Sequence, residues 1–356
     1  MNWGFFRLFL ALLVASPVNG QYSTEPAGQT RTDSINKRFR LFEDESILEI
    51  TLRFDLVAYT RTKPKKEYLP ANFTIHLNNT DSISRDIRLK TRGIFRNSWC
   101  IYAPIELNFK KVSFGYSDLD SIGKLKMVTE CKPGKIYEDY VLKEYLVYKL
   151  FSVLTDSSFR VRLLSVKYID SGNKRKPMHH YGFFIEPVEK LAERINSFQI
   201  KSPGLTQKNI VPDIMDRLAI FNYMVGNYDW SIPGQHNVKV FKPMTLSQTG
   251  FAIAIPYDFD WTGFVNPSYA IPIEETGLEN VRQRLFTGVC REQDIYLKRL
   301  AVFSEKKEEF YSVINEFPHL DQRGKKDVTT YLDGFFSRLG GRNLVVQELL
   351  NSCKSF

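Results

Sequence analysis

The spacing of apolar residues changes near residue 135, and that change constrains the fold more than any other feature of the chain. Before it, "ILEITLRFDL", "ANFTIHLNN", "ISRDIRLKTRG", "IELNFKKV" and "GKLKMVTEC" alternate apolar and polar residues over short runs, the period of half-buried antiparallel strands. "YEDYVLKEYLVYKLFSVL" then sets Leu142, Leu146, Leu150 and Val153 on one helical face, with Glu138 and Asp139 in the first turn, where the helix dipole favours them. Two more strands follow, "FRVRLLSVKYID" and "HHYGFFIEPV", joined by a basic loop at 171–178. Beyond them the helical period dominates. "PDIMDRLAIFNYMVG" has Pro212 in its first turn, Gly226 at its stop and Ile214, Leu218, Phe221 and Val225 on one face. Strands "NVKVF" and "FAIAIPYDFD" come next. The tail reads as helices: "LENVRQRLFTGV", "QDIYLKRLAVFSEKKEEFYSVINEF", "KKDVTTYLDGFFSRL" and "RNLVVQELLNSC". The expected class is α+β, with a β-rich lobe over 45–188 carrying one helix and a mainly helical lobe over 189–356. No internal repeat is visible.

With 356 residues, 43% of them hydrophobic, the chain is long enough for one large domain of two lobes or for two ordinary domains. Its net charge of +9 favours anionic partners without choosing among them. The basic clusters "RTKPKKEY" and "GNKRKPMHH" read as solvated loops, and no nucleic-acid motif appears. Residues 1–20 read as a signal peptide. Arg7 supplies the charge, Leu8 to Ala15 the apolar stretch and Val18-Asn19-Gly20 the cleavage site; the mature chain is expected to start near Gln21. An uncleaved anchor is the alternative, and no later stretch is long enough to span a bilayer. The expected location is therefore periplasmic, cell-surface or extracellular. Residues 21–44 read as a flexible, polar arm. In an oxidising compartment Cys100, Cys131, Cys290 and Cys353 suggest one or two disulfides, Cys100–Cys131 being the preferred pair. Asn72 and Asn78 are glycosylation sequons.

The chemistry-bearing residues fall in two segments, "NYDWSIPGQHN" from Asn227 and "IPYDFDW" from Ile255. Carboxylates inside an apolar run are costly unless a cation neutralises them. Phosphoryl transfer needs an Asp at the attacking hydroxyl, an Asn and an Asp on Mg²⁺, and a Lys oriented by a Glu on the phosphates. In that scheme Asp229 is the base and Asn237 the loop's metal ligand. Asp258 and Asp260, two apart on an extended segment, share a face and one cation. The structural alternative has Asp229 capping a turn, Asn237 satisfying loop backbone and Asp258 paired with an Arg. His180 and His236 read as loop residues, and Trp230, Trp261 and Phe264 as packing. No nucleophile elbow, Walker loop or H-E-x-x-H is present.

"FNYMVGNYDWSIPGQHNVKVF" followed by "IPYDFDWTGFVNPSYA" resembles the spore-coat CotH kinase family, with its Asn-x-Asp-Trp loop ending in Asn and its Pro-x-Asp-x-Asp-x-x-Gly segment. An exported bacterial branch also shares "RGIFRNSWCIYAPIELNFKK", "KLKMVTEC", "KEYLVYKLFSVLTDSSFRVRLL" and "VRQRLFTGVCR"; the likeness covers roughly residues 85 to 295. The resemblance implies a two-lobed atypical protein-kinase-like fold that phosphorylates Ser or Thr hydroxyls of a protein, using ATP with Mg²⁺ or Mn²⁺. It gives Asp229 the catalytic role and Asn237 with Asp258 the metal role, with Asp260 a second candidate ligand. Arg92 and Arg96, about Gly93, match the family's phosphate-reaching Arg-Gly element. Glu186 falls at the inter-lobe hinge that meets adenine through backbone atoms. The family's Pro-Lys-Lys is absent after Pro104, so Lys126, oriented by Glu144, is the first substitute and Lys110 the second. The gap from Asp229 to Asn237 is eight, against five in an ordinary catalytic loop, which calls for a different loop path.

Two other classes compete. A non-catalytic pseudokinase at the envelope or cell surface keeps the fold and uses the cleft for another ligand. A glycan hydrolase needs paired carboxylates about 5–9.5 Å apart across a groove.

Overall fold

The computed structural model describes residues 39–340 and 344–354, so the expected signal peptide and most of the polar arm lie outside it. Residues 39–44 of that arm are tied down rather than loose. Leu41 is buried, its N–H donates to Asp118, and Arg162 donates to the Leu41 and Asp44 carbonyls.

In chain order, β1 (Leu48–Phe54), α1 (Leu56–Thr62), β2 (Leu69–His76), β3 (Ser82–Thr91), α2 (Phe95–Trp99), β4 (Ile105–Asn108) and β5 (Lys124–Val128) lead to the long helix α3 (Lys135–Leu154). Then come β6 (Val161–Asp170), β7 (Met178–Ile185), α4 (Val188–Arg194), β8 (Ser197–Ile200), α5 (Pro212–Val225), β9 (Val238–Pro243) and β10 (Ile253–Pro256). Helices α6 (Gln293–Glu305), α7 (Lys307–Asn315), α8 (Gln322–Gly340) and α9 (Leu344–Ser352) complete the chain. The region is mixed α+β, β-rich first and helical later.

The alternation in the first seven strands closes a barrel in the order β1-β2-β3-β4-β5-β7-β6, sealed by the parallel pair β1 and β6. One face of each strand fills its interior, with Ile50, Leu52, Phe73, Leu89, Leu107, Leu125 and Phe184 among the buried side chains. A second core lies between α3 and the later helices. Helix α3 is buried almost all round rather than along one stripe, and even Lys143 and Glu144 are inside. Lys143 meets Asp327 of α8 at 2.7 Å, which keeps its charge paired. Among the described residues, no helix is long and apolar enough to cross a membrane.

Several sequence expectations need correction. Residues 278–289 form no helix. Arg284 there is held by the Met224 and Tyr331 carbonyls, which pins the segment as irregular chain. The 293–317 helix breaks in two at Lys306. Strand β10 ends at Pro256, so Asp258 and Asp260 are not on a strand and the shared-face argument fails for them. Helices α1, α2 and α4 and strand β8 were not anticipated. Cys100 pairs with Cys131 as expected, and Cys290 pairs with Cys353.

Candidate functional site

Helix α5 stops at Gly226, whose φ of 67° turns the chain sharply; its N–H returns to the Asn222 and Tyr223 carbonyls. Asn227, buried beside Asn222, accepts from the Asp229 N–H at 3.1 Å and so fixes the start of the loop. Trp230 and Ile232 anchor it from below. The extra residues between Asp229 and Asn237 form a tight turn closed by paired Ser231 and His236 backbones at 3.0 Å. That turn delivers Asn237 back to Asp229: its amide nitrogen donates to the Asp229 carbonyl at 2.8 Å and to Oδ2 at 3.0 Å. His236 Nε2 lies 2.8 Å from Asp229 Oδ1. His236 is therefore part of the site's edge, not a bystander, and His180 sits on β7 against Glu130 at 2.9 Å rather than in a loop.

Strand β9 leaves Asn237 and pairs antiparallel with β10, Val238 opposite Pro256. The ladder continues one step further, from the Tyr257 N–H to the Asn237 carbonyl at 3.0 Å, so Asn237 and Asp258 stand side by side where the sheet ends. Both occupy the left-handed region, at φ 50° and 64°, a conformation that costs a non-glycine residue and collects at functional sites. The Asp258 N–H donates to the buried Tyr148 hydroxyl of α3 at 2.8 Å. Phe259 wedges between Tyr148 and Phe221, with ring centroids 4.8 and 6.0 Å away, and so locks the segment to α3 and α5. The Asp258 carboxylate itself has no hydrogen bond or ion pair among the described residues. Asp260 is buried and accepts from the Tyr269 hydroxyl at 3.3 Å; burial, then the charge of Asp258, push its pKa up to about 6.

The cation opposite Glu144 is Arg96, not Lys126. Arg96 Nη1 lies 3.3 Å from Glu144 Oε2 and 3.9 Å from Asp260 Oδ2, and Nη2 donates to the Thr129 carbonyl. Thus Arg96 is a buried clamp rather than a phosphate-reaching arginine. Burial holds the Glu144 carboxyl well above the usual range. Lys126, on β5, has its ammonium 5.6 Å from the centroid of Tyr257. Burial, with repulsion from Arg92 and Lys239, lowers its pKa to about 8. Lys239 sits 4.6 Å from the centre of the same ring. The side chains of Arg92, Lys126 and Lys239 form no hydrogen bond or ion pair among the described residues. Glu186 does not present itself to a ligand. Arg194 grips both its carboxylate oxygens at 2.9 and 2.7 Å, and its N–H goes to the Arg160 carbonyl.

The donor set suits a hard cation: all oxygens, with Asp258 unpartnered and Asn237 Oδ1 left open because its nitrogen faces Asp229. Among the described residues no three His, Cys, Asp or Glu side chains converge on one metal position. A bound ion would take its remaining ligands from phosphate and water, as Mg²⁺ commonly does. Sequence reasoning missed Tyr148, Tyr257 and Lys239. A tyrosine three residues before the Asp-Phe-Asp run's close and a lysine in the facing strand carried no signal without the register.

No protein-family model and no curated protein matches the chain. Among solved structures, a proinflammatory kinase from Helicobacter pylori, CtkA, overlays 81% of this chain and 96% of its own at 10% sequence identity, with a TM-score of 0.39. A likeness that loose carries no argument. The resemblance to the CotH family rests on sequence motifs alone, and the chemistry on the residues above.

Proposed function

We propose that this chain is an exported kinase-type phosphotransferase that moves the γ-phosphoryl group of ATP to a Ser or Thr hydroxyl of a protein. One observation carries the reading. Three cations without a hydrogen bond or ion pair among the described residues, Arg92, Lys126 and Lys239, the last two over the Tyr257 ring, lie within electrostatic reach of one another, and Lys126 within that of Asp258, a carboxylate equally without one. Cations and a carboxylate left without ion pairs match a polyphosphate with a divalent ion better than they match a packed interior. Lys126 and Arg92 would meet phosphate oxygens, and Asp258 and Asn237 would hold Mg²⁺ or Mn²⁺, with Asp260 behind them on Arg96 and the Tyr269 hydroxyl. When bound, that ion neutralises charge on the phosphates. Asp229 accepts the substrate hydroxyl's proton as that oxygen bonds to the γ-phosphorus. The bond to the β–γ bridging oxygen breaks, and ADP leaves. Asn237 and His236 hold the Asp229 carboxylate in one orientation throughout.

The pseudokinase reading draws support from Arg96, since Glu144 is already paired and does not orient Lys126. Incubation with radiolabelled ATP and Mn²⁺ separates the two. Label transferred by the wild type but not by Asp229→Ala or Asp258→Ala supports phosphotransfer, and nucleotide binding without transfer supports the pseudokinase. Failure to bind nucleotide with any divalent ion removes both.

A further inference from the structure

Beside the site the surface is unexpectedly apolar. Ile94 is 88% exposed and Ile271 72%, with Phe95 also at the surface. They belong to one patch: the Phe95 ring lies 4.7 Å from Trp261, whose indole N–H donates to the Ile271 carbonyl at 3.2 Å. Trp99 continues it, stacked 6.1 Å from Phe95. Clusters of this kind on a protein surface mark interaction sites. The two segments that build the patch, helix α2 and the loop that follows Asp258, also build the site. Phe95 precedes the Arg96 clamp, and Trp261 follows Asp260.

The patch also has a sign. Residues 92–104 and 261–273 contain no carboxylate, while bases crowd one rim. Lys132 sits 3.5 Å over the Trp99 ring, and Lys63 donates to the Cys100 carbonyl. The Lys63 carbonyl takes the Asn97 amide at 2.9 Å, and the exposed Lys65 and Lys66 follow in sequence, Lys65 facing Glu67 at 3.9 Å and Lys66 with no side-chain partner among the described residues. On the far side Glu274 and Glu275 come only after Ile273.

We infer that this patch docks the substrate polypeptide, and that the segment it accepts carries bulky apolar residues flanked by Asp or Glu next to the phosphoacceptor hydroxyl. The inference rests on the phosphotransferase reading for the word substrate, but the docking surface stands on its own geometry. Apolar side chains would cover Ile94, Phe95 and Ile271, and acidic ones would meet Lys66 and Lys132. Charge complementarity favours this occupant over a basic one.

Fluorescence anisotropy with three fluorescein-labelled peptides tests it: Ser between two Leu residues with Asp/Glu flanks, the same with Lys flanks, and the acidic peptide with Gly for Leu. The acidic Leu peptide is expected to bind at least roughly tenfold more tightly than either other, and Ile94→Ser with Ile271→Ser to weaken it roughly tenfold or more at an unchanged melting temperature. Equal binding of the three peptides, or no loss in the double variant, overturns the inference. So does capture by phosphatidylserine vesicles with no peptide preference. Asp229→Ala separates the two ideas. Peptide preference retained while no protein ever transfers phosphate leaves the surface standing and the phosphotransferase reading refuted.

Discussion

Replacing Arg96 by Met tests the clamp on which the site's geometry depends. Glu144 is 1% exposed, and Arg96 supplies its ion pair at 3.3 Å while sitting 3.9 Å from Asp260. Removing one partner of a buried ion pair typically costs about 3–5 kcal/mol when the other charge stays behind; Glu144, already held well above the usual carboxyl range, takes up a proton and brings the cost toward the lower end. At this chain length that corresponds to a melting temperature lower by roughly 4–7 °C. The Met keeps most of the packing, so lost charge dominates. Combining it with Glu144→Leu removes the stranded carboxylate, and the pair should then cost about 2 kcal/mol less than the sum of the single changes. Arg96→Lys should recover only part of the loss, since an ammonium cannot span Glu144 and the Thr129 carbonyl with a planar fork. Denaturant unfolding of the four variants supplies the numbers. Strict additivity, or an Arg96→Met protein within about 0.5 kcal/mol of wild type, would show that the pair is not a clamp.

Lys126 sets a pH dependence. Its folded pKa of about 8 is below the usual lysine value of 10.5, so the unfolded chain binds more protons between those values and this group's contribution to stability rises with pH through that window. Nucleotide affinity should move the opposite way above pH 8 as the charge that meets phosphate is lost, and titration calorimetry of Lys126→Arg should show a flatter profile; identical profiles refute the assignment. Tyr148→Phe leaves the Asp258 N–H without its acceptor. A cost of about 1–2 kcal/mol in stability is expected, with weaker Mn²⁺-dependent nucleotide binding measured by fluorescence; unchanged binding would release Tyr148 from any positioning role.

Much of the framework was legible because it follows from periodicity. The alternation in "LEITLRF" becomes β1 with its even burial pattern, and the Pro212 and Gly226 signals bound α5 as read. What failed did so for tertiary reasons. "LENVRQRLFTGV" has helical spacing, yet Arg284 is claimed by carbonyls of α5 and α8, and a disulfide follows at Cys290. Asp258 follows a proline at the end of β10, and the left-handed turn that the Tyr148 hydroxyl stabilises is invisible in "IPYDFDW". The Asp229 loop was placed as a unit because its partners are local. The cation opposite Glu144 is not legible in the sequence because Arg96 reaches it from the short helix α2, 48 residues away, and no spacing rule links them.

The barrel's seam has a consequence for how the chain is made. Leu48 pairs with Leu164, 164 − 48 = 116 positions later, whereas the strand on the other side of β1 is β2, next in the chain after α1. Until β6 emerges, the first strand offers a bare edge to any other extended chain, and long-range closure of this kind is slow. Synthesis that stalls before residue 170 would therefore leave a sticky, half-rolled sheet, its first edge still waiting for a partner.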